Sequence, residues 1–215
     1  MLKIEKTDVY GWEAAIRGMR NPLNSWDKSD SVFSLYDDFI GDNDLALMNK
    51  LRKAGTDHRK FMRMITVSFD CIAPLYWWKE ASTYSVGVTM NSCSTMHKIH
   101  AKEFTLEDFS CEHLDYHVDE NSILTANWLG LLQSVVDELN LARDLFLETK
   151  DKKYWWQMIQ LLPSSYNQRR TVLLNYEVLA NIYKSRKNHK LDEWHTFCEW
   201  IESLPYSELI TVVER

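Results

Sequence analysis

The sequence has few of the residues that mark the common nucleotide-binding and hydrolase motifs. Glycine occurs only six times in 215 residues. Neither a G-x-G-x-x-G nor a Walker-type phosphate loop is present, and the G-x-S-x-G nucleophile elbow is missing as well. These absences exclude the Rossmann, P-loop and α/β-hydrolase classes.

Cysteine is also scarce, and its spacing is wide. Cys71, Cys93, Cys111 and Cys198 form no C-x-x-C pair, which favours thiols in a reducing compartment over a disulfide framework. Charged side chains interrupt residues 1–10, so this segment does not look like a signal peptide. No apolar run approaches the length of a membrane span. A cytoplasmic protein with no membrane partner is predicted.

Positive charge is not in excess either. The formal net charge is -6, whereas sequence-independent binding of nucleic acid needs a concentrated Lys/Arg surface. We therefore expect no nucleic-acid partner. A hydrophobic content of 45% is enough for a sizeable core, and a single globular domain spanning residues 1–215 is predicted.

The hydrophobic pattern predicts a mainly helical α+β fold. A short strand and irregular chain are expected in residues 1–41, and a second strand in residues 64–72, ended by Pro74. A helix followed by a loop is expected in residues 75–99. Further helices are predicted from Asp42 or Asn43 to Gly55 and over residues 121–150, 152–161, 167–186 and 192–204.

Two groups of side chains have the composition of a metal site, although neither has a full set of four ligands. They are Cys111 with His113 and His117, and Cys93 with His97 and His100. A solvated acidic turn explains the first group better, because Glu112, Asp115 and Asp119 surround it. No metal is therefore predicted.

Two aromatic runs, Tyr76-Trp77-Trp78 and Trp155-Trp156, are able to stack on a planar ligand such as a flavin or a base. No basic patch is interleaved with them, so a place in the core or in a subunit interface is favoured. Asn175 and Asn181 interrupt an apolar stretch that is predicted to be helical. Buried amides need partners, and a ligand is one candidate beside solvent.

The segment from Leu162 to Arg186 resembles the second signature region of the flavin-dependent thymidylate synthases. In that family a Leu-Pro turn opens a helix that carries two asparagines, a leucine and an arginine at fixed offsets. The matching residues here, which are in register without a gap, are Leu162, Pro163, Asn175, Leu179, Asn181 and Arg186.

The first signature of the same family, R-H-R followed by seven or eight residues and a serine, is only partly kept. Thr83-Tyr84-Ser85 stands in place of the triplet, and Ser94 follows at the right distance. Asn91 matches a family asparagine, whereas Ser92 stands where glutamate is usual. Arginine is replaced by Met96 in this region and by Ile159 before the Leu-Pro turn.

The resemblance implies the family's fold, a helical domain with a small antiparallel sheet, and its assembly as a homotetramer. It assigns FAD binding to Asn175, Asn181, Ser85 and Asn91, and binding of the nucleotide substrate to Arg186, Ser94 and Ser92. NADPH and methylenetetrahydrofolate are implied only if the synthase reaction is retained. No catalytic residue is assigned, because the family's protein needs no nucleophile of its own.

Two functional hypotheses follow. The first is an FAD- and pyrimidine-nucleotide-binding thymidylate synthase-like protein that methylates dUMP to dTMP. The second is a non-catalytic or repurposed homologue that acts as a nucleotide-binding or assembly module. The lost arginines matter because each charge-assisted hydrogen bond contributes on the order of 1.5–3 kcal/mol. Possible substitutes for them are Lys79, Lys98, Arg17 and Arg20.

Overall fold

A computed structural model describes residues 2–34, 38–118 and 125–212. Its strands are β1 (Lys3–Tyr10), β2 (Val32–Phe33), β3 (Asp38–Phe39), β4 (Thr66–Pro74), β5 (Thr89–Ser92), β6 (Tyr116–Val118), β7 (Thr125–Asn127) and β8 (Asn167–Asn175). Its helices are α1 (Trp12–Arg20), α2 (Asp42–Lys53), α3 (Leu75–Ala81), α4 (Thr95–Lys98), α5 (Trp128–Thr149), α6 (Lys152–Leu161), α7 (Tyr176–Arg186), α8 (Asp192–Glu202) and α9 (Glu208–Thr211).

The strands form one four-stranded sheet, in the order β1-β4-β8-β5, and two small antiparallel pairs, β2 with β3 and β6 with β7. The predicted class, mainly helical α+β with little sheet, is confirmed. None of the helices in the described residues is long and apolar enough to cross a membrane. No disulfide joins the four cysteines, all of which lie in the described part of the chain.

The chain divides into two compact units. The first unit comprises Met1–Lys3, Ile72–Ser82 and Ser92–Arg170, and the second comprises Ile4–Cys71, Thr83–Asn91 and Thr171–Arg215. The single domain over residues 1–215 stays a prediction.

The core of the first unit is built on the long helix α5. Leu132, Val136 and Leu139 recur at the spacing of one helix face, and they pack in one cluster with Met158 of α6. The predicted helix of residues 121–150 thus exists, but it begins at Trp128, after β7. Its predicted start, residues 121–124, lies outside the described residues.

Two of the three aromatic residues at the start of α3 are buried. Trp77 and Trp78 are buried, and the Nε1 of Trp78 donates to the backbone oxygen of Gln168 at 2.9 Å. The guanidinium of Arg170 stacks over the Trp78 ring, with its Cζ 4.4 Å from the ring centroid. The expected core position is confirmed for Trp77 and Trp78, whereas Trp156 of α6 is 44% exposed.

In the second unit, α1 occupies a stretch that was expected to be irregular. Trp12, Ala15, Ile16 and Met19 are all buried, at the i, i+3, i+4 and i+7 spacing of an amphipathic helix. The prediction was wrong because Gly18 was taken as a break, although a single glycine costs a helix only about 1 kcal/mol.

Two nearby expectations need smaller corrections. Helix α2 starts at the predicted place, but Gly41 occupies the N-cap position, and Asp42 and Asn43 are already helical. The loop that was expected after the helix in residues 75–99 is partly regular, because β5 runs to Ser92 and α4 begins at Thr95.

The largest correction concerns residues 167–186, which were expected to form one helix. They form strand β8 up to Asn175 and helix α7 from Tyr176. Val172 and Leu174 are buried whereas Thr171 and Leu173 are exposed, which is the period-two pattern of a strand. A short apolar stretch fits both periods, so its sequence pattern alone did not separate the two structures.

A buried carboxylate organises the N-terminal part of the second unit. Asp44 is fully buried and accepts hydrogen bonds from Arg20 Nε at 2.6 Å, Ser29 Oγ at 2.6 Å and Ser31 Oγ at 2.7 Å. Arg20 also donates to the backbone oxygens of Ser25 and Lys28. The network ties the chain between α1 and α2 to both helices, and it commits the guanidinium of Arg20 to a structural role.

We predict that Asp44→Ala destabilises the protein by about 3–5 kcal/mol, because it leaves the buried charge of Arg20 without its partner. Asp42→Ala, on the exposed side of the same helix, is the control and should change stability by about 0.5 kcal/mol or less. Denaturant unfolding of both variants measures the difference. An equal, small effect of the two variants would contradict the assigned role of Asp44.

The buried carboxyl of Asp44 also predicts that the stability of the protein depends on pH. Burial alone would raise the pKa of the Asp44 carboxyl, but hydrogen bonds from Ser29, Ser31 and Arg20 hold it below the ordinary value of 3.8. The carboxyl therefore stabilises the fold above pH 3.8, and this contribution is lost as the pH falls further toward the lowered folded value. The stability gap between the native chain and Asp44→Ala should narrow in that range.

Candidate functional site

Asn175 caps the helix that carries the signature residues Leu179, Asn181 and Arg186. Its Oδ1 accepts a hydrogen bond from the backbone N of Val178 at 3.1 Å, which satisfies one of the N–H groups at the start of α7. Its amide nitrogen faces the 86–87 turn, where a Cβ added to Gly87 would lie 3.2 Å away. Gly87 has φ +73°, so only glycine suits this close approach without strain.

A small cavity of about 230 Å³ lies in the second unit beside α7. It is lined by Thr83, Tyr84, Ser85, Val86, Val178 and Asn181. The structure thus brings together Ser85 and Asn181, which the two separate signature segments assign to the same ligand. Pockets for whole small ligands usually measure about 300–1,000 Å³, so this cavity has room for only part of such a ligand.

Arg186, the last signature residue, lies among aromatic side chains. Its Nε donates to the hydroxyl of Tyr84 at 3.0 Å, and its Cζ lies 4.9 Å from the ring centroid of Trp194. Trp194 is buried, and its ring meets that of Tyr84 edge to face at 6.2 Å. Tyr84 stands at the centre of the triplet that replaces R-H-R. The arginine expected to hold the nucleotide therefore anchors this tyrosine.

The remaining predicted site residues lie elsewhere. Asn91 and Ser92 are exposed on β5. Neither residue lines the small cavity or a second, larger cavity that lies in the first unit. Ser94 lines that larger cavity. Its Oγ accepts a hydrogen bond from His97 N at 3.0 Å and so caps α4, which leaves the hydroxyl proton available for donation.

The larger cavity has a volume of about 880 Å³ and a concentration of cations. Lys3, Lys98, Lys102 and Arg169 line it together with Ser94. The backbone N of Cys93 donates to the oxygen of Arg169 at 2.9 Å, which holds the segment before Ser94 against β8. The volume lies within the range of pockets that enclose a whole small ligand.

The rest of that cavity is apolar or hydrogen-bonding. Ile72, Ile99 and Phe104 contribute hydrocarbon, and Tyr166 contributes a phenol. Burial raises the pKa of Tyr166 above the ordinary value of 10.0, and the charges of Asp108 and Cys93 act in the same direction. The phenol therefore stays protonated at neutral pH, as a hydrogen-bond donor.

Sequence reasoning named Lys98 as a possible replacement for the lost arginines but missed Lys3, Lys102 and Arg169. Arg169 was missed because residues 167–186 were assigned to a helix. Successive side chains of a strand point to opposite faces. Arg169 therefore lines the cavity, whereas Arg170 stacks over the ring of Trp78. Assignment of this segment to a strand would have predicted that Arg169 and Arg170 lie on opposite faces.

Arg17 and Arg20, which were expected as substitutes for the lost arginines, do not line the larger cavity. Arg20 is committed to Asp44, and Arg17 lines a different, shallow cavity of the second unit. Within residues 2–34, 38–118 and 125–212, no three His, Cys, Asp or Glu side chains are grouped so that they could hold a metal ion.

Alignment of the whole chain with solved structures identifies the fold as that of the flavin-dependent thymidylate synthases, as the second signature predicted. The enzyme of this class from Helicobacter pylori, complexed with FAD and dUMP, aligns over 97% of both chains with a TM-score of 0.69 and 16% identity. PolB, a UMP/dUMP methylase from Streptomyces cacaoi bound with 5-Br dUMP, covers 98% of this chain and 95% of its own, with a TM-score of 0.63 and 14% identity.

No protein-family model matches the sequence, and no curated protein does. At identities of 14–16%, the likeness to the solved structures establishes the shared fold alone.

The cap assigned to Asn175 is testable by two substitutions. Asn175→Ala should lower the free energy of unfolding by about 1 kcal/mol, because Val178 N loses its acceptor. Asn175→Asp should keep most of the stability, since a carboxylate accepts the same bond and suits a helix N-terminus. Thermal unfolding of the two variants distinguishes them. Equal losses of stability would show that the amide nitrogen, rather than the cap, is what the fold needs.

Proposed function

We propose that the chain binds FAD and a pyrimidine nucleotide, as a thymidylate synthase-like protein whose reaction is the methylation of dUMP to dTMP. The observation that carries the proposal is the meeting of Ser85 and Asn181 in one cavity, within a fold that aligns over 97% of both chains with a synthase complexed with FAD and dUMP.

The residues of the small cavity fit the polar edge of a flavin ring. An amide such as that of Asn181 donates and accepts, and the hydroxyl of Ser85 does the same, as the alternating donors and acceptors of that edge require. The amide nitrogen of Asn175 adds a donor nearby. A bound flavin would supply hydride, and the part left to these residues is to hold and orient its ring.

The nucleotide is assigned to the first unit. Ser94 is the substrate residue of the first signature, and its cavity has room for a whole mononucleotide and carries cations for its phosphate. The nucleotide role that the resemblance gives to Arg186 competes with its bonds to Tyr84 and Trp194. We propose that Arg186 supports the small cavity instead.

A second candidate function, a homologue without synthase activity, is favoured by one observation. Tyr84 replaces the histidine between the two arginines of the family motif, and it holds the remaining signature arginine, Arg186. Such a protein would keep the fold as a nucleotide-binding or assembly module. Electrostatic stabilisation of the uracil ring is the contribution most reduced by loss of the arginines.

Flavin binding is tested by titrating the purified protein with FAD and following flavin fluorescence. Asn181→Ala should weaken binding by about fivefold, as expected for one net hydrogen bond. Asn188→Ala, an exposed asparagine in the turn after α7, is the matched control and should bind as the native chain does. Colourless protein whose addition leaves FAD fluorescence unchanged would overturn the flavin assignment.

The two candidate functions separate in a turnover assay. Protein that is supplied with FAD, NADPH, methylenetetrahydrofolate and dUMP should form dTMP, and dUMP in excess should raise the melting temperature. Ligand binding without detectable dTMP would favour the non-catalytic homologue.

We also expect a homotetramer, for which light scattering should give four times the mass of the chain. A monomer at micromolar concentration would count against it.

A further inference from the structure

The larger cavity of the first unit differs in charge from the chain as a whole. Four cations and two carboxylates, Glu107 and Asp108, line it, although the chain has a formal net charge of -6. Lys102 forms an ion pair with Asp108, and the other three cations of the lining are Lys3, Lys98 and Arg169. Several positive charges on one concave surface attract an anion more strongly than each charge does alone.

The lining of the cavity combines apolar side chains with charged and hydrogen-bonding ones. Ile72, Ile99 and Phe104 offer apolar surface, and the protonated phenol of Tyr166 offers a donor. Ser94 and the cations offer only charge and hydrogen bonds. A ligand that fits this lining has a flat ring with a few hydrogen-bonding groups and carries a dianionic group. A nucleoside monophosphate has this composition.

The segment that carries Ser94 is held in place by backbone and side-chain hydrogen bonds. Gln168 is buried, and its Nε2 donates to the oxygen of Cys93 at 2.7 Å, next to the bond between Cys93 N and the oxygen of Arg169. These bonds fix the segment that carries Ser94 to the strand that carries Arg169. A site that is already ordered loses little entropy when a ligand binds.

We propose that Arg169 and Lys98, with the hydroxyl of Ser94, bind the phosphate group of a nucleoside monophosphate in this cavity. The inference rests on the proposed function for the identity of the base, but the phosphate site stands on residues of the first unit. Arg169 and Lys98 lie outside the positions that the two signatures assign, and they supply the positive charge that those signatures have lost.

The test is calorimetric titration of the full chain with dUMP, deoxyuridine and phenyl phosphate. Lys98→Gln and Arg169→Gln should each weaken dUMP binding at least tenfold, the usual effect of losing one charge-assisted hydrogen bond. Arg169→Lys keeps the charge and should lose less. Lys150→Gln, at the exposed end of α5 in the same unit, is the charge-matched control. Deoxyuridine, which has no phosphate, should bind all the variants equally weakly.

The outcomes separate the two proposals. If dUMP binds but the Lys98 and Arg169 variants bind it as the native chain does, the phosphate site is wrong and the proposed function stands. If dUMP does not bind but phenyl phosphate does, with the loss expected in the variants, the phosphate site stands and the pyrimidine assignment falls. If no ligand binds, both fall. Should Arg169→Gln fail to fold, exposed Lys98 on α4 still decides the question.

Discussion

The hydrogen bond from Val178 N to Asn175 Oδ1 decides where the signature segment changes from strand to helix. Two further bonds secure the start of α7, because Tyr176 N donates to Ile65 O at 3.0 Å and Tyr176 Oη donates to Pro205 O at 2.5 Å. Asn181 and Arg186 then take their places at fixed rotations along the helix. The same asparagine therefore sets the geometry of the small cavity, whatever ligand that cavity holds.

The helices with clear periodicity were predictable from sequence, and the segment that carries the site was not. Residues 152–161 and most of residues 192–204 are helical as expected, because their apolar residues recur at the helical period over enough turns. The run Val172 to Leu174 is too short to separate the two periods. Residue-by-residue resemblance does not depend on secondary structure, and for that reason it still paired Ser85 with Asn181.

The cations show a second limit of sequence reasoning. Arg20 and Lys98 looked equivalent as replacements for the lost arginines, yet Arg20 is buried against Asp44 whereas Lys98 lines a cavity. A sequence reports how many charges a chain has, but pairing decides which of them can act on a ligand. In this chain the carboxylates at residues 44, 108 and 177 each hold a basic side chain. Asp108 lines the larger cavity and pairs with Lys102, whereas Asp44 and Glu177 lie in the second unit.

The second unit is assembled from segments that are far apart in the chain, and this affects how it folds during synthesis. Trp12 packs edge to face on Tyr176, with the ring centroids 5.3 Å apart, and Arg52 Nε donates to Leu209 O at 2.8 Å. A ribosome adds about 5–20 residues per second, so Trp12 emerges roughly 8–30 s before its partner. During that interval, the apolar face of α1 has no native partner from α7. A nascent chain of this kind is a natural client for chaperones that shield exposed hydrophobic segments.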